Sequence, residues 1–197
     1  MSGMYYDRQP QSASKEVGCV FSYHGTQLRF QTDAGVFSKG ELDQGTRLLL
    51  DALPALRGDV LDLGCGWGAI GIAVARLCPE ARVTMVDVNL RALDLARRNA
   101  EANGVQVSCL ESDGWAALPP SSLFDAVVTN PPIRAGKQKV YELLGGAAEH
   151  MQPEGALYLV IRKQQGGESC LRYLETVYSR AEKIAKSGGY WVIRAEK

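Results

Sequence analysis

Apolar positions along this chain switch between a period of two and a period near 3.6, and each switch marks a boundary between elements. Residues 19–23 and 26–32 alternate apolar with polar around His24-Gly25, which predicts a β-hairpin. Residues 43–53 carry Leu48, Leu49, Ala52 and Leu53 on one helical stripe, stopped by Pro54. A short apolar strand from Val60 then runs through Asp62 into a glycine-bearing loop, and Ile70, Ile72, Ala73, Val74 and Leu77 continue as a helix ended by Pro79. The pattern goes on with a strand over 82–88, ending at Asp87, and a helix over 90–102, closed by Asn103-Gly104. Strands follow over 105–110 and 124–129, a helix over 140–151, a strand over 156–161 and a helix over 170–179. Two last strands, 181–186 and 190–194, meet across Gly188-Gly189.

Strands separated by single helices imply a parallel sheet with helices on both faces. The last two strands are joined too tightly for a crossover, so one of them runs antiparallel. The expected fold class is α/β, a three-layer Rossmann-like sandwich preceded by the hairpin. Residues 1–16 are polar and read as a flexible tail, leaving 17–197 as one domain.

Composition narrows the setting. A chain of 197 residues that is 46% hydrophobic and 22% charged is long enough to bury roughly 70% of its unfolded surface. No apolar run approaches the roughly 20 residues of a membrane helix, and the first residues lack the apolar core of a signal peptide, so a cytoplasmic protein is expected. Five cysteines, odd in number and without a CxxC pair, read as free thiols in a reducing compartment. His24 and His150 have no ligand-type neighbours in sequence, so no metal is expected. Lys plus Arg balances Asp plus Glu at 22 each, and any nucleic-acid partner must be held by local charge.

Chemistry concentrates at one sheet edge. Gly64, Gly66, Gly68 and Gly71 fall within eight positions, a density that reads either as a tight strand-to-helix turn or as a backbone approached closely by a nucleotide-like ligand. Asp62, Asp87, Asp113 and Asn130 all lie at or just past strand ends, where ligands of open α/β sheets bind. Singly, each is an ordinary cap or turn residue. Gly66-x-Gly68-x-x-Gly71 followed by Asp87 also matches the dinucleotide fingerprint, which keeps a dehydrogenase or a non-catalytic nucleotide-binding scaffold open. Asp62 would repel a pyrophosphate, however, and suits a ligand that carries an amino group.

The succession DLGCGWG, MVDVN and ESDGW resembles the signature of class I methyltransferases. That resemblance implies a seven-stranded sheet and S-adenosyl-L-methionine as cofactor. Its ammonium would be met by Asp62 directly or through water, its ribose hydroxyls by Asp87 and its adenine amino group by Asp113. Gly64, Gly66, Gly68 and Asn130 complete the expected cofactor neighbours.

Asn130-Pro131-Pro132-Ile133 resembles the (N/D/S)-P-P-(Y/F/W/I) motif of enzymes that methylate a nitrogen conjugated to a ring or carbonyl. Such a nitrogen is a poor nucleophile because its lone pair is delocalised. The Asn130 side-chain oxygen and the Pro131 carbonyl can accept its two N–H bonds, favour a pyramidal nitrogen and aim it at the methyl. The prolines hold these acceptors in place, and in-line positioning is worth at most roughly 7–11 kcal/mol. Ile133 stands where many such motifs carry a stacking aromatic, and Phe37, in a loop without strand or helix period, is a candidate replacement.

TDAGVFSKGELDQGTRLLL and NPPIRAGK narrow the resemblance to the catalytic domain of bacterial 16S ribosomal RNA guanine-N(2) methyltransferases, in the form of a small stand-alone member. Larger members carry an additional, degenerate half for which this chain has no room. The resemblance implies ribosomal RNA or the small ribosomal subunit as partner. Phe37, Pro132, Ile133, Arg134 and Lys137 are the expected substrate-facing residues, with Lys139 and Arg162-Lys163 as further cations on the same edge. A protein glutamine or an adenine amino group presents similar amine geometry and remains an alternative acceptor.

Overall fold

The computed structural model describes residues 8, 13–38 and 40–197. Strands β1 (Val17–Tyr23) and β2 (Thr26–Thr32) pair antiparallel in unbroken register, turning through positive φ at His24 and Gly25. Phe21 stacks on Phe30 at 5.1 Å, and Leu28 and Phe30 are buried. This hairpin docks on α3 (Leu90–Ala102). Asn99 Oδ1 accepts from the Gln31 N–H at 2.7 Å and Asn99 Nδ2 donates to the Gln31 carbonyl at 2.9 Å, while Asn103 bonds Arg29 in the same two-way fashion. Side-chain amides thereby satisfy the backbone groups that an unpaired strand edge would leave open.

The remaining elements are α1 (Gln44–Ala52), β3 (Gly58–Leu63), α2 (Ala69–Leu77), β4 (Ala81–Asp87), β5 (Ser108–Glu111), β6 (Phe124–Thr129), α4 (Lys137–Gly146), β7 (Met151–Arg162), α5 (Gly167–Val177), β8 (Arg180–Ser187) and β9 (Tyr190–Glu196). The seven strands after the hairpin form one sheet in the order β5-β4-β3-β6-β7-β9-β8. Only β9 opposes its neighbours, pairing antiparallel with both β7 and β8. Two apolar cores cover the two faces. One gathers Leu49, Ile72, Leu93 and Phe30 from α1, α2, α3 and the hairpin; the other gathers Leu144, Cys170 and Leu174 from α4 and α5. Among the described residues no helix is long and apolar enough to cross a membrane.

Both ends of α4 depart from the expectation. The helix expected over 140–151 spans Lys137–Gly146, and Met151 instead opens β7, fully buried. Gly136, at φ 97°, redirects the chain out of the short 3-10 turn at Ile133–Ala135 and lets the helix begin early. At the other end, Tyr173 and Trp115 press against Gly145 and Gly146 so closely that side chains there would collide. The described part of the expected tail is also held to the body. Ser14 Oγ donates to Asp33 Oδ2 at 2.8 Å, Glu16 pairs with Arg98 at 2.8 Å, and Arg8 pairs with Glu111 at 2.5 Å. The other residues of 1–16 lie outside the described set.

Candidate active site

Strand order reverses between β3 and β6, which makes the gap outside their carboxyl ends the place for a ligand. Thr129 Oγ1 donates to the Leu63 carbonyl at 2.7 Å and ties the two strand ends together there. A cavity of about 310 Å³ opens over this point, walled by the glycine loop, Asp87, Asp113, Phe37, Asp43, Thr46 and Asn130 to Pro132. Its size falls in the range of small-molecule pockets.

The glycines divide the work. Gly64 and Gly66 take positive φ (74° and 55°), and a Cβ on either would meet no atom of the described residues within 4 Å, so their bare faces front open space at the cavity wall. Gly71 is needed for packing, because a Cβ there would come within 2.5 Å of the Met85 sulfur. Asp62 Oδ2 accepts from the Gly71 N–H at 2.8 Å and pins the first turn of α2 to β3. Asp62 is buried, with its carboxylate turned to the Gly71 N–H behind the cavity wall. Burial raises its pKa to about 7, with the Gly71 bond opposing the effect and the Asp87 charge adding to it; among the described residues its Oδ1 has no hydrogen-bond partner.

Asp87 does reach the cavity. Its carboxylate accepts from the N–H groups of Gly66 and Asn89, each at 2.8 Å, and joins the glycine loop to the start of α3. Burial raises its pKa and those backbone donors oppose the shift. Asp113 lies at the rim and forms an ion pair with Lys139 at 2.9 Å, while Lys139 also meets Glu142 at 3.3 Å. Lys139 therefore has two carboxylate partners at the cavity rim. Lys163 likewise pairs with Glu168 at 3.5 Å, and Arg162 lies 4.6 Å over the Tyr190 ring.

The loop carrying Phe37 folds over one side. Its carbonyl accepts from Trp67 Nε1 at 2.8 Å, so the tryptophan of the glycine loop fixes the loop that bears the exposed aromatic ring. Arg91 and Asn89 donate to the Ala34 and Gly35 carbonyls and hold the same loop against α3.

Opposite lies Asn130. Its Nδ2 donates to Asp43 Oδ2 at 3.2 Å and to Thr46 Oγ1 at 3.0 Å. Pro132 (φ −75°, ψ 79°) forms an inverse γ-turn in which the Pro131 carbonyl accepts from the Ile133 N–H at 2.9 Å. One lone pair of that carbonyl remains available. Pro132 lines the cavity, whereas Ile133 packs against the α4–α5 core; Arg134 and Lys137 are exposed beyond the rim, with Lys137 5.1 Å over the Tyr141 ring.

A family model for the methyltransferase small domain matches residues 27–194. The chain belongs to this methyltransferase family. It is 38% identical over the full length of both chains to the uncharacterized protein YbxB of Bacillus subtilis, and 38% identical over 174 residues to ribosomal RNA small subunit methyltransferase C of Aeromonas hydrophila. The second match covers 85% of this chain and 48% of the relative. A solved structure of the T. thermophilus 16S rRNA N2 G1207 methyltransferase, RsmC, in complex with AdoMet and guanosine, superimposes with a TM-score of 0.85 at 31% identity. That match covers 95% of this chain and 52% of the other. The chain thus spans about half the length of the named ribosomal RNA methyltransferases that it matches.

As a member of this family it takes S-adenosylmethionine as cofactor, and the cavity fits: bare glycine faces cradle one side, a half-hidden carboxylate stands at Asp87, and apolar walls come from Leu63, Ile70, Val86 and Leu143. Asp43, Thr46 and the Trp67 contact were not singled out from the sequence as site residues. Their only signal was membership of the TDAGVFSKGELDQGTRLLL and DLGCGWG stretches.

Proposed function

We propose that this methyltransferase transfers the methyl group of S-adenosylmethionine to the exocyclic N(2) of a guanine in small-subunit ribosomal RNA. The observation that carries the reading is the Asn130 amide. Its NH2 group is consumed by Asp43 and Thr46, which leaves Oδ1 as an acceptor at the cavity, next to the Pro131 carbonyl. Two fixed acceptors suit an acceptor group that brings two N–H donors. The likeness to methyltransferase C proteins, and to a relative whose structure holds guanosine, supports guanine over other amines.

S-adenosylmethionine, when bound, would supply an electrophilic methyl group on a sulfonium; as the N–CH3 bond replaces the S–CH3 bond the sulfur is left as a neutral thioether and the amine gives up one N–H proton to solvent. Asn130 Oδ1 and the Pro131 carbonyl take the two N–H bonds of the guanine amine, turning its lone pair out of conjugation and toward that methyl. Asp87 holds the ribose hydroxyls, Gly64 and Gly66 admit the cofactor chain, and Asp113 with its Lys139 partner frames the adenine side. Asp62 acts one step back by keeping the α2 turn in place. Phe37, exposed at the mouth, stacks on the incoming base, while Arg134 and Lys137 meet phosphates outside. A base in structured RNA must be splayed or flipped to reach Asn130.

The test is transfer of labelled methyl from S-adenosylmethionine to ribosomal RNA, offered free and as small subunits from cells that lack the gene, followed by nucleoside analysis. The expected product is N(2)-methylguanosine. Label in another nucleoside overturns the base assignment. Absence of label in RNA together with labelled glutamine in protein overturns the RNA reading.

A further inference from the structure

The acceptor role of Asn130 depends on which way its amide faces, and a primary amide can be reversed by rotation about one bond. Asn130 itself contains nothing that selects the orientation. The selection comes from α1 and β9. An ionised carboxylate can only accept, so Asp43 Oδ2, 3.2 Å away, is compatible with Nδ2 facing it and incompatible with Oδ1 facing it. Thr46 Oγ1 accepts from the same Nδ2 at 3.0 Å and lies 3.5 Å from Asp43 Oδ2, to which its hydroxyl donates. Asp43 is itself held from two sides. Its Oδ2 caps α1 by accepting from the Thr46 N–H at 3.0 Å, and its Oδ1 accepts from the Tyr190 hydroxyl at 3.3 Å.

Packing around this group leaves little freedom. Thr46 and Tyr190 are buried, and a Cβ on Gly45 would come within 2.7 Å of the Tyr190 ring and 2.9 Å of Asp43 Oδ2. We propose that Asp43 is a positioning residue: it locks the Asn130 amide with its oxygen toward the acceptor amine, and Thr46 and Tyr190 keep Asp43 in place for that purpose. This rests on the reading of Asn130 as the acceptor-binding residue. It assigns to the helix N-terminus a second task besides capping.

The two tasks separate in Asp43→Asn. Asparagine caps a helix as well as aspartate does, so α1 keeps its start. Its amide, however, can turn either group toward Asn130 and no longer selects the acceptor-outward orientation. In the full-length protein without substrate, 15N NMR reads the Asn130 side-chain NH2 directly. The expected wild-type result is protection from solvent exchange, lost in Asp43→Asn. In methyl transfer the expected result is a fall in kcat of about ten- to a hundredfold, of the size that misplaced reacting groups produce, with the Kd for S-adenosylmethionine and the melting midpoint held.

Thr46→Val should lower kcat in the same direction and Thr46→Ser restore it. If Asp43→Asn does not fold, Tyr190→Phe, which deletes only the hydroxyl on Oδ1, should partly lose the NH2 protection and lower kcat less. Unchanged NH2 protection in Asp43→Asn and Tyr190→Phe overturns the proposal, as does lost protection with kcat intact. Wild-type protein that shows the protected NH2 but methylates no RNA overturns the ribosomal RNA reading alone, because the NMR measurement uses no substrate.

Discussion

On the β3–β4 side of the sheet edge the cavity is made chiefly by backbone, and on the β6 side by side chains. Gly64 and Gly66 present bare main chain, and Asp62 and Asp87 serve it by accepting from the N–H groups of Gly71 and Gly66. All of these lie within one β-α-β stretch. Across the cavity, Asn130 is oriented by Asp43 and Thr46, which lie 87 and 84 positions earlier, and Asp43 is held by Tyr190, 147 positions later. In the proposed function the first side meets S-adenosylmethionine, and a local motif suffices for it. The second, proposed to meet the acceptor amine, has an orientation that depends on three separate parts of the chain.

The sharpest division between the two sides comes from Asn130→Ala. Turnover should fall by about a thousandfold, comparable to removal of a group aimed at the transition state, while calorimetry finds S-adenosylmethionine binding unchanged. Equal turnover of variant and wild type would erase the distinction.

Asp62 tests whether the cofactor side is governed by folding. Its folded pKa of about 7 lies above the unfolded carboxylate value near 3.9, so the native state holds the proton more tightly. The contribution is fully present below about pH 4 and is lost as pH rises from there through 7, a swing on the order of 4 kcal/mol. Urea denaturation between pH 5 and 8 should show stability falling with pH in the wild type and a flatter slope in Asp62→Asn. A slope of equal size in both would move the effect elsewhere.

Within the glycine loop the comparison can be refined. Gly66→Val should weaken cofactor binding about tenfold, since its side chain would enter the cavity, and its positive φ adds a stability cost of roughly 1–3 kcal/mol. Gly71→Val should instead lower the melting temperature through collision with Met85, by about 1–3 kcal/mol of overpacking. Calorimetry and thermal melts on the pair separate cradle from packing. The smallest effects belong outside the cavity. Arg134→Ala and Lys137→Ala should raise KM for RNA modestly and each reduce the salt slope by about one. Salt slopes equal to wild type would remove both from the phosphate contacts.

The sequence-based reading reached the sheet, its antiparallel end, the hairpin and the glycine loop, because apolar period and Gly or Pro punctuation are local properties. It missed the end of α4, where Gly145 and Gly146 are demanded by Tyr173 and Trp115 from elsewhere in the chain. It also left open whether Asp62 meets a ligand directly or through water, since a carboxylate before a glycine loop looks the same in sequence whether it faces the cavity or the helix behind it.

By itself, then, the sequence determined the order of elements, the sheet edge that carries the cavity and the Asn130-Pro131-Pro132 turn proposed to hold the acceptor amine. Only the tertiary structure decided that Asp62 faces Gly71, that Trp67 holds the Phe37 loop, and that Asp43, Thr46 and Tyr190 converge on one amide. The reason is physical: a hydrogen bond between side chains many tens of positions apart leaves no periodic trace, and its direction is set by where two packed layers bring donor and acceptor together.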